Sequence, residues 1–265
     1  MAPVVTRLSK LSRSIAGQSA IVTGAASGMG RATAHLFADE GARVAVVDLG
    51  SDRVGAVVEE ITNAGGTATG WTIDVSDGAQ IHRLIGEVVE TFGGIDILVN
   101  NAGVSLLGGA TTPEAEFEDG WHHTIEINLT AHARLIRAVL PHLHAHGAGR
   151  IVNIASTEGL IATGGLAAYT ASKHGVIGLT KSFAVELGRT GVTVNCICPG
   201  PIRTGMTADI PEDDKEVYAR RRVPLRRYGE PEEVAQMTLS LVLPAASFVN
   251  GAVVVVDGGM TIRHV

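Results

Sequence analysis

Cysteine is nearly missing from this sequence: Cys196 and Cys198 are the only two in 265 residues. That count excludes a disulfide framework, and nothing in it requires an oxidising compartment, so the cytoplasm is the expected location. The pair is either half of a metal site or two inward-facing strand thiols. No second Cys or His pair follows at ligand spacing, which favours the thiols. There is also no uninterrupted apolar run of eighteen residues, so no membrane-spanning helix is expected. Basic charge is not in excess: 21 Lys and Arg against 27 Asp and Glu give a net charge of −6. That balance argues against a nucleic-acid partner bound through a broad basic face. What the chain has in quantity is glycine, 33 residues, well above the usual ~7%. Such an excess points to tight turns and close approach of backbone to a ligand.

No composition shift, Pro/Ser-rich linker or internal repeat divides the chain. Residues 1–16 carry Arg7, Lys10 and Arg13 with serines and no acid. A transit peptide and a flexible lead-in both fit that pattern, and the lead-in is preferred. Apolar runs at Ser19–Thr23, Arg43–Asp48, Thr67–Asp74, Ile95–Asn100, Arg150–Ala155, Thr193–Cys198 and Ala252–Val256 read as strands. Several are continuous Val/Ile/Ala runs, the mark of strands buried on both faces. Helical stretches near 28–40, 51–64, 77–92, 114–145, 167–188 and 230–243 alternate with them. The expected fold is α/β: one Rossmann-like, doubly wound parallel sheet with helices on both faces, spanning 17–265. The span 200–229 breaks the rhythm with Pro201, Gly205, Pro211 and Pro224, an acidic patch (Glu212, Asp213, Asp214) and a basic one (Arg220, Arg221, Arg222, Arg226, Arg227). It reads as a substrate lid or a solvated helical excursion, its arginines paired with nearby acids.

The first strand runs into Thr23-Gly24-Ala25-Ala26-Ser27-Gly28-Met29-Gly30, followed by a helix. Gly24 permits the turn, Gly28 lets backbone approach a pyrophosphate, and Gly30 lets the helix lie close to the sheet. The second strand ends at Asp48, where a carboxylate can accept hydrogen bonds from both adenosine ribose hydroxyls and repel the extra phosphate of NADP. Capping the helix near Ser51 is its duller role. Arg53, five residues on, is expected in solvent, and NAD is the expected cofactor. Contacts to it are assigned to Gly24, Ser27, Gly28, Met29 and Gly30, to Asp48 and Leu49, and to Asp74 and Val75 near the adenine. Asn101, Ala102 and Gly103, in the turn after the fourth strand, complete the set.

Tyr169 and Lys173 stand four residues apart, one turn along a helix. An ammonium ~4 Å from a phenol lowers the phenol's pKa by roughly three units, enough to make it an acid/base near neutrality. Ser156 lies at the end of the preceding strand. With Thr23-Gly24-x-x-x-Gly28-x-Gly30, Asn100-Asn101-Ala102-Gly103, Asn128, Pro199-Gly200 and Val256-Asp257-Gly258-Gly259, the chain resembles the short-chain dehydrogenase/reductase family over residues 17–262. The resemblance implies that Tyr169 is the general acid/base and that Ser156 binds the reacting oxygen. It implies that Lys173 lowers the tyrosine pKa and holds the nicotinamide ribose, and that Asn128 anchors a proton-relaying water. Ile202 and Thr204, after Pro199 and Gly200, would hold the carboxamide. It also implies a homotetramer.

His142, His144 and His146 alternate, but at a helix end successive members lie ~200° apart and cannot converge, so no metal is expected. Candidate pocket walls are Val104, Ser105, Leu106, Leu160, Met206 and Ile210, with Glu158 a hydroxyl partner. They suit a medium-sized carbocycle or a steroid-like ring. The expected activity is NAD(H)-dependent interconversion of a secondary alcohol and a ketone. A 3-oxoacyl-thioester reductase and a non-catalytic NAD sensor are the alternatives.

Overall fold

Strands with Val, Ile or Ala at most positions need cover on both faces. Every residue of β1 (Ser19–Thr23), β4 (Ile97–Asn100), β5 (Arg150–Ile154) and β6 (Thr193–Pro199) is buried. With β2 (Arg43–Asp48), β3 (Thr67–Thr72) and β7 (Val253–Val256) they form one seven-stranded sheet in the order β3-β2-β1-β4-β5-β6-β7. All six pairings are parallel. The computed structural model describes residues 8–143 and 148–263.

Helices α1 (Gly28–Asp39), α2 (Ser51–Asn63) and α8 (Pro231–Val242) cover one face. There Phe37, Val57 and Val234 pack on Val22, Val44 and Val99. On the other face lie α3 (Gly78–Phe92), α5 (Ala131–Val139) and α6 (Ala167–Leu187), with Leu84, Leu135 and Ala184 against Ile21, Leu98 and Ile151. Burying one such aliphatic side chain contributes roughly 1.5–3 kcal/mol. α4 (Glu114–Ile125) packs on α6. This is the doubly wound α/β sheet the alternation implied. From β1 the chain winds outward through β2 and β3, then restarts in the opposite direction at β4. The crevice between β1 and β4, at the carboxyl ends of the strands, is where such sheets bind ligands.

Several boundaries differ from the sequence reading, each for a local reason. The helix expected over 114–145 is broken: α4 passes through a π turn, Glu126–Thr130, into α5, and a 3-10 turn at Leu140–His142 follows. β3 stops at Thr72 because Asp74 folds into a turn, its Oδ1 accepting the Ser76 N–H and hydroxyl at 2.8 and 2.7 Å. β4 begins only at Ile97, since the Asp96 carboxylate accepts the Ser19 N–H at 2.8 Å. The lead-in is anchored before Gly17. Ile15 is fully buried, and the Ser12 carbonyl accepts the Ala245 N–H at 2.9 Å. Its first seven residues, with His144 and His146, lie outside the described residues.

The span 200–229 contains α7 (Glu212–Arg222), acidic in its first turn and basic in its last, as the helix dipole favours. Three of its six arginines are paired with acids, Arg203 with Glu212 and Glu230, Arg220 with Glu216, and Arg227 with Glu233, and Lys215 pairs with Glu212. Cys196 and Cys198 are free, buried strand thiols packed with Val176 and Ile177 of α6. Among the described residues no group of three His, Cys, Asp or Glu is disposed to hold a metal. No helix among them is long and apolar enough to cross a membrane.

Candidate active site

The turn after β1 is built for close approach. Gly24 sits at φ +64° and Gly28 at φ +52°, a region that side chains disfavour. A Cβ on Gly30 would stand 2.1 Å from the Gly24 carbonyl oxygen, so only glycine lets α1 lie this close to the strand end. Thr23 Oγ1 accepts the N–H groups of Asn101 and Ala102 at 3.0 and 3.1 Å, and the Asn101 amide donates back to the Thr23 and Gly24 carbonyls. The two loops are thereby tied together. Ser27 caps α1 through backbone alone, with no side-chain bond to the first-turn N–H groups. Those donors therefore remain available to an anion.

A cleft of about 600 Å³ opens above this turn, floored by Gly24, Ser27, Gly28 and Met29. Asp48, Leu49, Asp74 and Val75 wall one end. Asp48 Oδ2 accepts the Ala26 N–H at 3.0 Å and Oδ1 the Leu49 N–H at 2.7 Å, which fixes the carboxylate at the rim. Arg53 is largely in solvent, as expected, but it also reaches the cleft. Its guanidinium turns back over Gly50 to within 3.8 Å of Asp48 Oδ1 and lines the same cleft.

At the inner end lie Ala102, Gly103, Tyr169 and Lys173, walled by Ile154 and Ala155. Burial pushes the Tyr169 phenol above its ordinary 10.0, the neighbouring Ser156 hydroxyl opposes this, and the Glu158 carboxylate adds to the rise. The lowering expected from Lys173 does not prevail. The ammonium lies 5.6 Å from the centre of the tyrosine ring and donates to the Ile154 carbonyl at 2.9 Å. Burial also pushes Lys173 down to about 8, opposed by Cys198.

Other assigned residues stand behind the cleft rather than in its wall. Asn128, fully buried in the π turn, accepts from Val104 N–H and donates to Val104 O, both at 2.8 Å, and donates to Ser172 Oγ at 3.2 Å. Gly200 packs on Asp257, where a Cβ would meet the Asp257 Cβ at 2.7 Å, and Pro199 is the buried last residue of β6. Ile202 packs into the core on the α8 side and bridges to Gly229, so Thr204, but not Ile202, reaches the cleft. Thr204 lies 3.1 Å from where a Cβ on Gly28 would be. Glu158 is committed to Thr163 and Thr170 at 2.7–3.0 Å and pins its loop to α6.

Residues 24–261 match the family model described as enoyl-(acyl carrier protein) reductase. The chain is 40% identical over 246 residues to a 3-oxoacyl-[acyl-carrier-protein] reductase of Thermotoga maritima, covering 93% of this chain and 98% of that protein. A short-chain type dehydrogenase/reductase from Mycobacterium marinum superposes with a TM-score of 0.88 at 32% identity, covering 95% and 98% of the two chains. A Beutenbergia cavernae structure assigned as an NAD(P)-dependent gluconate 5-dehydrogenase, with NADP bound, gives 0.87 at 38% identity, covering 95% and 99%.

Proposed function

Because the chain belongs to the short-chain dehydrogenase/reductase family, we propose that it is an NAD(H)-dependent oxidoreductase interconverting a secondary alcohol and a ketone. The observation that carries this reading is the Tyr169 phenol, placed so that Ser156 acts on it, at the inner end of a cleft whose outer end holds Asp48. A dinucleotide fits these residues: uncapped N–H groups at Ser27–Met29 for the pyrophosphate, and the Asp48 carboxylate for the ribose. When bound, its nicotinamide supplies or accepts the hydride. The chain's own residues manage the proton. In ketone reduction the Tyr169 phenol gives its proton to the carbonyl oxygen, while the Ser156 hydroxyl orients that oxygen. In alcohol oxidation the tyrosinate takes the hydroxyl proton. The Lys173 ammonium favours the tyrosinate and adjoins the ribose position, with Asn128 stiffening the wall behind it.

Leu106 and Met206, exposed, apolar and in the cleft wall, support an uncharged, medium-sized substrate, with 200–229 as its lid; Leu160 and Ile210, expected in that wall, do not line the cleft. The exposed Val185, Phe248 and Ile262 support burial in a homotetramer, and the free thiols support a cytoplasmic setting. The alternative, a 3-oxoacyl-thioester reductase, draws on the Thermotoga relative and on Arg53 beside the ribose position. A non-catalytic NAD sensor would have no use for an intact Ser156, Tyr169 and Lys173. Turnover of secondary alcohols with NAD across a substrate panel is the test. Turnover of 3-oxoacyl thioesters alone, with NADPH, would give the alternative, and no turnover with any substrate would leave the sensor.

A further inference from the structure

Behind the catalytic lysine lies hydrogen-bonding capacity that the reaction described above does not use. His132 on α5 is 1% exposed, and neither ring nitrogen has a hydrogen-bond partner. The Ala102 carbonyl faces the ring from the turn after β4, and the Lys173 charge acts on it from α6. Asn128 stands one helical turn earlier. Its Oδ1 and the Lys173 Nζ lie 3.2 and 3.6 Å from the point where a Cβ on Gly103 would be. Asn100, at the end of β4, is fully buried with Oδ1 unpartnered, while its amide donates to Asn153 and the Asn153 amide donates to Thr180. An unpaired buried polar group is destabilising, so a leucine at position 132 would serve the core better. Burial first, then Lys173, pushes the His132 imidazolium down to about 3. The ring is therefore neutral at working pH and carries one N–H and one bare nitrogen.

We propose that His132 is a positioning residue for Lys173: its N–H is directed to the Ala102 carbonyl, and its bare nitrogen accepts from the Lys173 ammonium through one enclosed water. The ammonium has three N–H donors, of which Ile154 takes one. The ionisable groups around Lys173 are His132 from α5, Cys198 from β6 and Tyr169 from its own helix. An acceptor on the ammonium favours its charged form, and that charge favours the Tyr169 phenolate. The consequence for catalysis rests on the alcohol/ketone reading; the hydrogen bonds themselves do not.

Nitrogen NMR of the full chain labelled in its histidine rings separates the two. A His132 ring with one protonated nitrogen and one hydrogen-bonded bare nitrogen, unchanged as the pH falls from about 9 to about 5, is the expected result. Titration near its ordinary value, or a bare nitrogen with no hydrogen-bond shift, overturns the proposal whether or not a substrate is known. In the active enzyme, His132→Leu is expected to move the acid limb of kcat for alcohol oxidation upward by about one pH unit. NAD affinity should be unchanged, and His132→Gln, which keeps an acceptor, should return the limb most of the way. A leucine variant with lower Tm and a wild-type pH profile would mean a purely structural role and refute the positioning role.

Discussion

Cofactor choice can be worked out from three side-chain positions. The two Asp48 oxygens already accept from Ala26 and Leu49 N–H groups, leaving one lone pair on each for the ribose hydroxyls. A hydrogen bond to a carboxylate contributes about 1.5–3 kcal/mol. A 2′-phosphate with about two charges, ~5 Å from Asp48, is opposed by roughly 2 kcal/mol even under water-like screening. Arg53 works the other way. Its side chain is 64% exposed, so its attraction for that phosphate is limited to about 1 kcal/mol. The balance favours NAD by about a hundredfold or more in kcat/KM. Asp48→Ser is expected to shrink that ratio mainly by losing NAD, about ten- to a hundredfold. Arg53→Ala is expected to widen it about fivefold, and Leu49→Arg to improve NADP. The assay is kcat/KM for each cofactor with one alcohol, followed by absorbance of the reduced nicotinamide. Equal use of both by the unmodified protein, or a ratio untouched by Asp48→Ser, would refute the geometry assigned to Asp48.

Tyr169→Phe is expected to leave less than about 1% of turnover with near-normal NAD binding, measured by steady-state kinetics and titration calorimetry. Because burial holds the Tyr169 phenol above its ordinary value, alcohol oxidation should rise with pH through and beyond neutrality, while ketone reduction falls only in strong base. His132, lowered from 6.5 to about 3, binds its proton in the unfolded chain first, so it withdraws stability as the pH drops below 6.5. That loss reaches about 2 kcal/mol by pH ~5, and thermal melts of His132→Gln should lack this acid dependence. Sedimentation velocity is expected to give four times the 27.4 kDa chain mass; a monomer at micromolar concentration would contradict the tetramer.

The sheet was legible because its strands are continuous aliphatic runs. Ser19–Thr23 and Arg43–Asp48 match the observed spans to the residue. The glycine turn was legible because steric demand leaves Gly24 and Gly30 no substitute. Long-range partners were not. Nothing local says that Ile202 turns inward towards Gly229 while Thr204 reaches the cleft, or that Arg53 bends back towards Asp48. The Tyr169–Lys173 spacing was visible, but the burial that reverses the expected pKa shift is a product of the folded chain and has no mark in the Tyr169–Lys173 segment. His132 carried no sequence signal, since a histidine inside a helix looks the same whether its ring is solvated or sealed.

The π turn at Glu126–Thr130 also sets a phase. A wide turn absorbs one extra residue, so the helix beyond it is rotated by about 100° relative to an unbroken α-helix. Asn128 faces Val104 within the turn, and His132 and Leu135 face the sheet after it, only because that offset is present. Deleting Leu129 would let the helix run straight and turn every later residue of α5 by the same angle. The aliphatic stripe of Leu135 and Ile136 would then leave the sheet, and His132 would leave the lysine with it. One residue of helical slack thus keys the wall of the reaction chamber to the core of the fold.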